Sequence, residues 1–156
     1  MTRSTTSSVF PDVNVWIALT IRAHQHHTIA WSWYQSLAPH QKLVFCRFTQ
    51  VGFLRLLTNR AVAADETVTQ KGAWTIYDQW IREGGAVYLD EPLGFDMEFR
   101  EMSDQLVSAP NTWTDSYLAG FARAASINLV TFDKALSLRA RQPVLLSSYP
   151  LKSPEA

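Results

Sequence analysis

Residues 112–134 read TWTDSYLAGFARAASINLVTFDK, and this stretch decides the fold. Its first half repeats apolar residues at the spacing of one helix face. The residues on that face are Tyr117, Leu118, Phe121, Ala122 and Ala125. Thr112 or Thr114 can cap the start of this helix, and Asn128 marks its end. The apolar run that follows, residues 129–132, has the length of a buried strand. The stretch therefore predicts a helix followed at once by a strand.

Two aspartates lie at the ends of these elements. Asp115 falls in the first turn of the helix, and Asp133 follows the carboxyl end of the strand. In open α/β sheets, ligands bind outside the carboxyl ends of the strands. We therefore expect both side chains at a ligand-binding edge.

The beginning of the chain repeats this arrangement around Asp12. Residues 7–10 predict a short strand that ends at Pro11, because proline cannot continue a central ladder. Asn14 is predicted to cap a helix over residues 15–22. Each aspartate alone also fits a simple helix cap. Three aspartates in equivalent settings make a shared site the stronger interpretation.

The composition is that of one globular domain. The chain has 156 residues, 47% of them hydrophobic, with 14 basic and 14 acidic side chains that cancel in formal charge. That balance argues neither for nor against nucleic acid. One cysteine excludes an internal disulfide framework, no apolar run reaches membrane-spanning length, and the N-terminus lacks a signal-peptide pattern. We expect a single cytoplasmic domain over residues 1–156 that does not associate with membranes.

Strand and helix patterns alternate along the whole chain. Further strands are predicted over residues 43–46, 86–89 and 144–146, with helical patterns between them. Such alternation predicts an α/β fold in which helices cover both faces of a parallel sheet. Because carboxyl ends of parallel strands meet at one edge, the aspartates should converge there.

Three clustered aspartates suit a divalent metal ion. Like charges held close together raise one another's pKa unless a cation neutralises them. Oxygen-only ligands favour Mg²⁺, for which Mn²⁺ would substitute. Such an ion can activate water and polarise a phosphoryl oxygen, which is nuclease or phosphatase chemistry. The sequence contains no P-loop, dinucleotide fingerprint or nucleophile elbow.

The histidines provide a weaker alternative site. His24, His26 and His27 lie close together in sequence, but no cysteine or further spaced ligand completes a zinc set. We interpret them as structural.

Four segments together resemble the PIN domain, and more narrowly the VapC-type ribonuclease toxins of bacterial toxin–antitoxin pairs. The segments are FPDVNVWIAL at 10–19, FTQVGFLR at 48–55, TDSYLA at 114–119 and TFD at 131–133. The similarity extends over a core of about residues 9–146. It implies a three-layer α/β/α sandwich and Mg²⁺-dependent endonucleolytic cleavage of RNA by metal-activated water. It also implies a small cognate antitoxin and commonly a homodimer.

The resemblance assigns roles to individual residues. Asp12, Asp115 and Asp133 match the acidic positions of the family and would be catalytic metal ligands. Asn14 matches a polar position that supports the first aspartate. Gln50 stands where many PIN domains carry glutamate. A helix is predicted to start at Thr49, which would point Gln50 toward the aspartates, where it would support the ion by hydrogen bonding. Thr131 would orient Asp133 or a substrate phosphate, although a β-branched strand residue is an alternative interpretation.

Basic residues near the predicted edge are candidates for binding RNA phosphates. They are Arg47, Arg55, Arg60 and Lys134, each of which also fits a surface salt bridge. The resemblance also implies a groove that binds an antitoxin helix. Candidate apolar anchors for it are the tryptophans at 31, 33, 74 and 80, with core packing expected for at least half of them.

Three alternative functions remain at this point. A haloacid dehalogenase-type phosphatase needs a second aspartate two residues after the first, where this chain has Asn14. A phospho-receiver domain needs an acidic pair that does not precede Asp12. A catalytically weak PIN-like module that binds RNA or serves as a scaffold is the third, and Gln50 is the feature that favours it.

Overall fold

A computed structural model describes residues 8–149 and contains a five-stranded sheet. Residue 7, the first of the predicted N-terminal strand, lies outside the described residues. The strands are β1 (Ser8–Pro11), β2 (Lys42–Phe45), β3 (Ala86–Tyr88), β4 (Asn128–Thr131) and β5 (Val144–Leu145). All neighbouring pairs are parallel, in the order β3-β2-β1-β4-β5.

Helices connect the strands. Within the described range they are α1 (Val13–Thr20), α2 (His27–Ser36), α3 (Arg47–Leu57), α4 (Arg60–Ala63), α5 (Gln70–Arg82), α6 (Phe95–Ser103), α7 (Trp113–Ala125) and α8 (Lys134–Ser137). The predicted alternation is confirmed, and the fold is a three-layer α/β/α sandwich.

Two hydrophobic clusters cover the two faces of the sheet. Adjacent strand residues point to opposite faces, so Val9 packs in one cluster and Phe10 in the other. The first cluster joins the sheet to α1, α2, α3 and α5, and Trp16 stacks on Phe45 there with ring centroids 3.7 Å apart. The second joins it to α6, α7 and α8 through Phe121 and its neighbours. Trp33 belongs to the first cluster and Trp80 packs against it, as expected for half of the tryptophans.

The chain reverses its direction across the sheet at β1. From β1 it proceeds to β2 and β3 on one side, and it later returns to β4 on the other side. The carboxyl ends of β1 and β4 therefore flank the topological switch point, where α/β sheets bind ligands. Asp12 follows β1 and Asp133 follows β4.

Several element boundaries differ from those predicted. Pro11 is the last residue of the central strand β1, paired in register with Val130. The strand tolerates it because the next N–H, that of Asp12, bonds to the Val130 carbonyl at 2.9 Å. Helix α7 ends at Ala125 and is followed by Ser126, whose φ of 54° is left-handed, and Asn128 already belongs to β4.

Candidate active site

A cavity of about 680 Å³ opens at the carboxyl edge of β1 and β4. Its wall is built by the starts of α1, α7 and α8 and by one face of α3. The lining residues are Asp12, Val13, Asn14, Arg47, Phe48, Val51, Gly52, Arg55, Leu56, Thr114, Asp115, Leu118, Asp133 and Leu136. The three predicted aspartates thus line one cavity, although Asp12 lies more than 100 residues before the other two in sequence.

Asp12 is held by the backbone of the helix that it starts. It is the N-cap residue of α1, and its Oδ1 accepts a hydrogen bond from the Val15 N–H at 3.0 Å. The predicted cap, Asn14, instead lies exposed in the first turn and lines the cavity. Asp12 is only 6% exposed. Burial raises the pKa of Asp12 from 3.8 to about 6, although hydrogen bonds with Thr131 and the α1 backbone oppose that rise.

Thr131 joins two of the aspartates. Its hydroxyl donates to Asp12 Oδ2 at 2.5 Å and accepts from the Asp133 backbone N–H at 3.0 Å. The residue is fully buried. It therefore sets the spacing between β1 and the turn that follows β4, and orients Asp12 as well as the backbone of Asp133.

Asp133 also caps the helix that it starts. Its Oδ1 accepts from the N–H groups of Ala135 and Leu136, at 2.8 and 3.2 Å. Unlike Asp12, it is exposed to solvent. Its negative charge contributes to raising the pKa of both Asp12 and Asp115. Asp133 therefore lies within electrostatic range of each of the other two carboxylates.

Asp115 lies in the first turn of α7 and is partly exposed. Partial burial raises the pKa of Asp115, the charge of Asp133 raises it further, and the nearby charge of Arg139 lowers it. Arg139 was not identified from sequence. It follows α8, and no motif distinguishes it from any other surface arginine.

The donor set fits a hard divalent cation. Among residues 8–149, no three His, Cys, Asp or Glu side chains are close enough to hold a metal ion together. Mg²⁺ does not need such a cage, since it keeps several waters and is bound through one or two carboxylates. The cavity offers carboxylate oxygens, and the pKa values of Asp12 and Asp115 are raised mainly by burial and to a smaller extent by the charge of Asp133. A cation would relieve that repulsion.

Gln50 lies on the other face of α3. It is 5% exposed, accepts a 2.5 Å hydrogen bond from Arg47 Nη1, and lies beside Tyr77, whose burial-raised pKa it partly lowers. It does not line the cavity. The expectation that it faces the aspartates came from a predicted helix start at Thr49. The helix starts at Arg47, and each residue of error rotates the face by 100°.

The face of α3 that does line the cavity carries Phe48, Val51, Gly52 and Arg55. None of these is acidic, so the cavity has three carboxylates and no fourth from α3. Gly52 allows α3 to approach α1 closely, because a Cβ there would lie 2.8 Å from Val13 Cγ2. Sequence reasoning missed this contact.

The predicted phosphate-binding residues divide into two groups. Arg47 and Arg55 are exposed and line the cavity, and Arg47 also stacks over the Tyr88 ring, 4.8 Å from its centroid. Lys134 and Arg60 are exposed but are not among the residues lining it. The structure thus brings together two of the four.

Within the described part of the chain, no helix has the length and apolarity to cross a membrane.

The comparisons with known proteins agree on one family. A sequence model of the PIN domain matches residues 9–142. Ribonuclease VapC41 of Mycobacterium tuberculosis is 35% identical over 130 residues, which are 81% of this chain and 89% of that protein; it is found in strains CDC 1551 and H37Rv.

Two solved structures share the fold. One is M. tuberculosis VapC20, described as a sarcin-ricin loop cleaving toxin, with a TM-score of 0.57 and 18% identity over 83% of this chain and 93% of that one. The other is PAE2754 of Pyrobaculum aerophilum, with a TM-score of 0.56 and 16% identity over 94% of this chain and 89% of that one.

Proposed function

Because the chain belongs to the PIN domain family and is a VapC-type ribonuclease within it, we propose that it is a Mg²⁺-dependent endoribonuclease that acts as a toxin. The observation that carries the proposal is the convergence of Asp12, Asp115 and Asp133 on one cavity at the switch point of the sheet. Three carboxylates gathered from three separate segments serve no shared packing purpose, since Asp12 and Asp133 each cap their own helix and Asp115 lies in the first turn of a third.

One or two of Asp12, Asp115 and Asp133 would bind the ion directly, and the remaining carboxylate would act through its bound waters. When bound, Mg²⁺ supplies activation of water and stabilisation of the charge that develops on the phosphoryl group. The protein contributes the placement of its ligands. Thr131 and the α1 backbone keep both oxygens of Asp12 oriented, and each oxygen retains a further lone pair for the ion.

Arg47 and Arg55 would bind the RNA backbone. Both line the same cavity as the carboxylates, so a phosphate at the carboxylates lies within reach of a guanidinium. Such contacts position the strand without reading its sequence. The amino ends of α1 and α7 also open onto the cavity, and the partial positive charge of a helix start favours an anion there.

The function is tested with purified protein and total bacterial RNA, with 5′ ends mapped after incubation. We expect discrete cleavages that need Mg²⁺ and disappear in EDTA. Asp115→Asn should reduce cleavage by at least about 100-fold, because loss of a group that only supports a metal ligand already lowers activity by up to about 100-fold. Asp78→Asn is the matched control, because Asp78 is exposed on α5 away from the cavity. Cleavage by Asp115→Asn at the wild-type rate would remove Asp115 from the site.

One observation favours a second candidate, the catalytically weak module that binds RNA or acts as a scaffold. The cavity-lining face of α3 offers no fourth carboxylate. Such a protein would retain RNA in a gel-shift experiment, with loss on Arg55→Ala, while mapped ends stay unchanged by Mg²⁺ or Mn²⁺.

We further propose a small cognate antitoxin as partner, a homodimer as the assembly and the cytoplasm as the place of action. The exposed aromatic residues Trp31 and Trp74 are candidates for the antitoxin contact. Co-expression with the protein encoded beside this gene should give a co-purifying complex and relieve growth inhibition. Failure of both would reject the toxin role while leaving the nuclease to the RNA experiment. Light scattering of the purified chain measures its oligomeric state, and a monomer mass would reject the homodimer.

A further inference from the structure

Asp115 lies on α7, and the start of this helix has no side-chain cap. Asp12 and Asp133 each cap their own helix through backbone N–H groups. Helix α7 begins at Trp113 without a side-chain cap, because Thr112 ends a 3₁₀ turn (Pro110–Thr112) and lacks the extended backbone of a capping residue. The Thr112 hydroxyl donates to the Ala109 carbonyl. An uncapped helix start frays readily, since its first N–H groups lack partners. Asp115 lies in that first turn.

Arg139 donates two hydrogen bonds at this helix start. Its Nη1 donates to the carbonyl of Thr112 at 3.2 Å, and its Nη2 donates to Ser116 Oγ at 2.7 Å. The two acceptors are the N-cap residue of α7 and the residue directly after Asp115. Arg139 thus holds the chain on both sides of Asp115 without touching its carboxylate.

The same guanidinium joins the end of α6 to this position. Arg139 Nη2 also donates to the Met102 carbonyl at 2.5 Å, and the fully buried Ser116 donates to the same carbonyl at 3.3 Å. Met102 lies in the last turn of α6, where carbonyls have no partner inside the helix and a cation is favoured. The contact therefore satisfies the end of one helix and the start of another.

Arg139 itself belongs to the segment that follows Asp133 and α8. One end of this short segment carries a cavity carboxylate, and the other carries the guanidinium that holds α7. We propose that Arg139 is a positioning residue that sets the distance between Asp115 and Asp133. Its Mn²⁺-binding and catalytic readouts rest on the proposed metal-dependent nuclease, whereas its hydrogen-exchange readout does not.

A second arginine provides a matched control. Arg123 also connects α7 with α6, through ion pairs with Glu98 at 2.9 Å and Glu101 at 3.7 Å. It lies in the last turn of α7, at the end away from the cavity. Loss of Arg123 should therefore loosen the same pair of helices without disturbing the turn that carries Asp115.

The experiment compares the wild type with Arg139→Met, Arg139→Lys and Arg123→Met. Hydrogen exchange is measured on metal-free protein, Mn²⁺ affinity by calorimetry, and kcat and KM on an oligonucleotide spanning a mapped cleavage site. We expect both Arg139 variants to exchange faster over residues 113–118 and to bind Mn²⁺ about 10-fold more weakly. Their kcat should fall about 10–100-fold with KM nearly unchanged, the range for groups that orient metal ligands. Arg123→Met should keep wild-type Mn²⁺ affinity and kcat.

Two results would overturn the proposal. Equal Mn²⁺ affinity and kcat in Arg139→Met and Arg123→Met would reduce Arg139 to a helix-packing residue. Full rescue by Arg139→Lys would assign its effect to charge alone, since lysine cannot reproduce the planar fork that reaches three acceptors. If Arg139→Met does not fold, Ser116→Ala removes one acceptor and should move the same quantities in the same direction by a smaller amount; no movement would also overturn it.

The two proposals fail differently. A wild type that neither cleaves RNA nor binds Mn²⁺ rejects the proposed function, and the exchange rates over residues 113–118 still decide whether Arg139 holds the start of α7.

Discussion

The two walls of the cavity hold their carboxylates by different means. At the sheet edge, Asp12 is buried between β1 and β4, with Val15 and Thr131 bonded to its two oxygens. At the start of α7, Asp115 is partly exposed, and the hydrogen bonds there are made by its neighbours to Arg139. One carboxylate is oriented directly and bears a desolvation cost. The other is placed indirectly through its helix. Each wall therefore predicts its own response to substitution.

The largest effect is expected at the sheet edge, where Asp12 should make the free energy of unfolding depend on pH. A pKa raised from 3.8 to about 6 corresponds to about 3 kcal/mol that the ionised Asp12 costs the metal-free fold. The folded state binds this proton more tightly than the unfolded chain does. The extra free energy of unfolding that the protonated Asp12 contributes is therefore fully present below about pH 4 and is lost as pH rises through about 6. Asp12→Asn, which keeps a capping oxygen, should flatten the profile of unfolding free energy between pH 4.5 and 7.5.

Urea unfolding in EDTA at several pH values measures this profile. Asp115→Asn should flatten it less, because the pKa of Asp115 is raised at a partly exposed position. Identical slopes in wild type and Asp12→Asn would mean that burial at the sheet edge costs Asp12 nothing, and the contrast between the two walls would disappear.

Thr131→Val should have the next largest effect. It removes the donor to Asp12 and the acceptor for the Asp133 N–H without changing side-chain volume much. Leaving buried polar groups unpaired costs roughly 1–3 kcal/mol. Denaturation at pH 7.5 should show this loss, and Thr131→Ser should restore most of it. Thr58→Val is the control, since that hydroxyl bonds only to carbonyls within its own helix end. Equal losses at positions 131 and 58 would contradict the joining role of Thr131.

The smallest effect concerns the two faces of α3. Gln50→Glu should leave the Mg²⁺ midpoint for cleavage within about twofold of wild type, because Gln50 faces Arg47 and Tyr77. Val51→Glu adds its carboxylate on the cavity-lining face, at a position 54% exposed. It should lower the midpoint by up to about tenfold, equivalent to about 1.4 kcal/mol. A Mg²⁺ titration of both variants decides between the faces. If Gln50→Glu lowers the Mg²⁺ midpoint and Val51→Glu does not, Gln50 and not Val51 faces the metal site.

The amino-acid sequence by itself predicted the fold class and placed the three aspartates at one edge of the sheet. Strand patterns placed Asp12 and Asp133 at carboxyl ends, and the apolar face of residues 117–125 placed Asp115 at a helix start. Parallel strands joined by helices leave no other arrangement than one shared edge. Local periodicity was enough for this shared edge, whereas the pairing of β1 with β4, which brings Asp12 and Asp133 together, is set by the strand order of the sheet.

Tertiary structure alone decided which side chains surround them. Gln50 lies away from the cavity because α3 starts at Arg47 and not at Thr49. A shift of two residues in the helix start turns the side chain at a given position to another face. The roles of Gly52 and Arg139 depend on how closely α1 approaches α3 and on where α6 ends against α7. Such contacts join segments distant along the chain, and no local pattern records them. Spacing along one element is a local property, whereas the distance between two elements results from the packing of all the others.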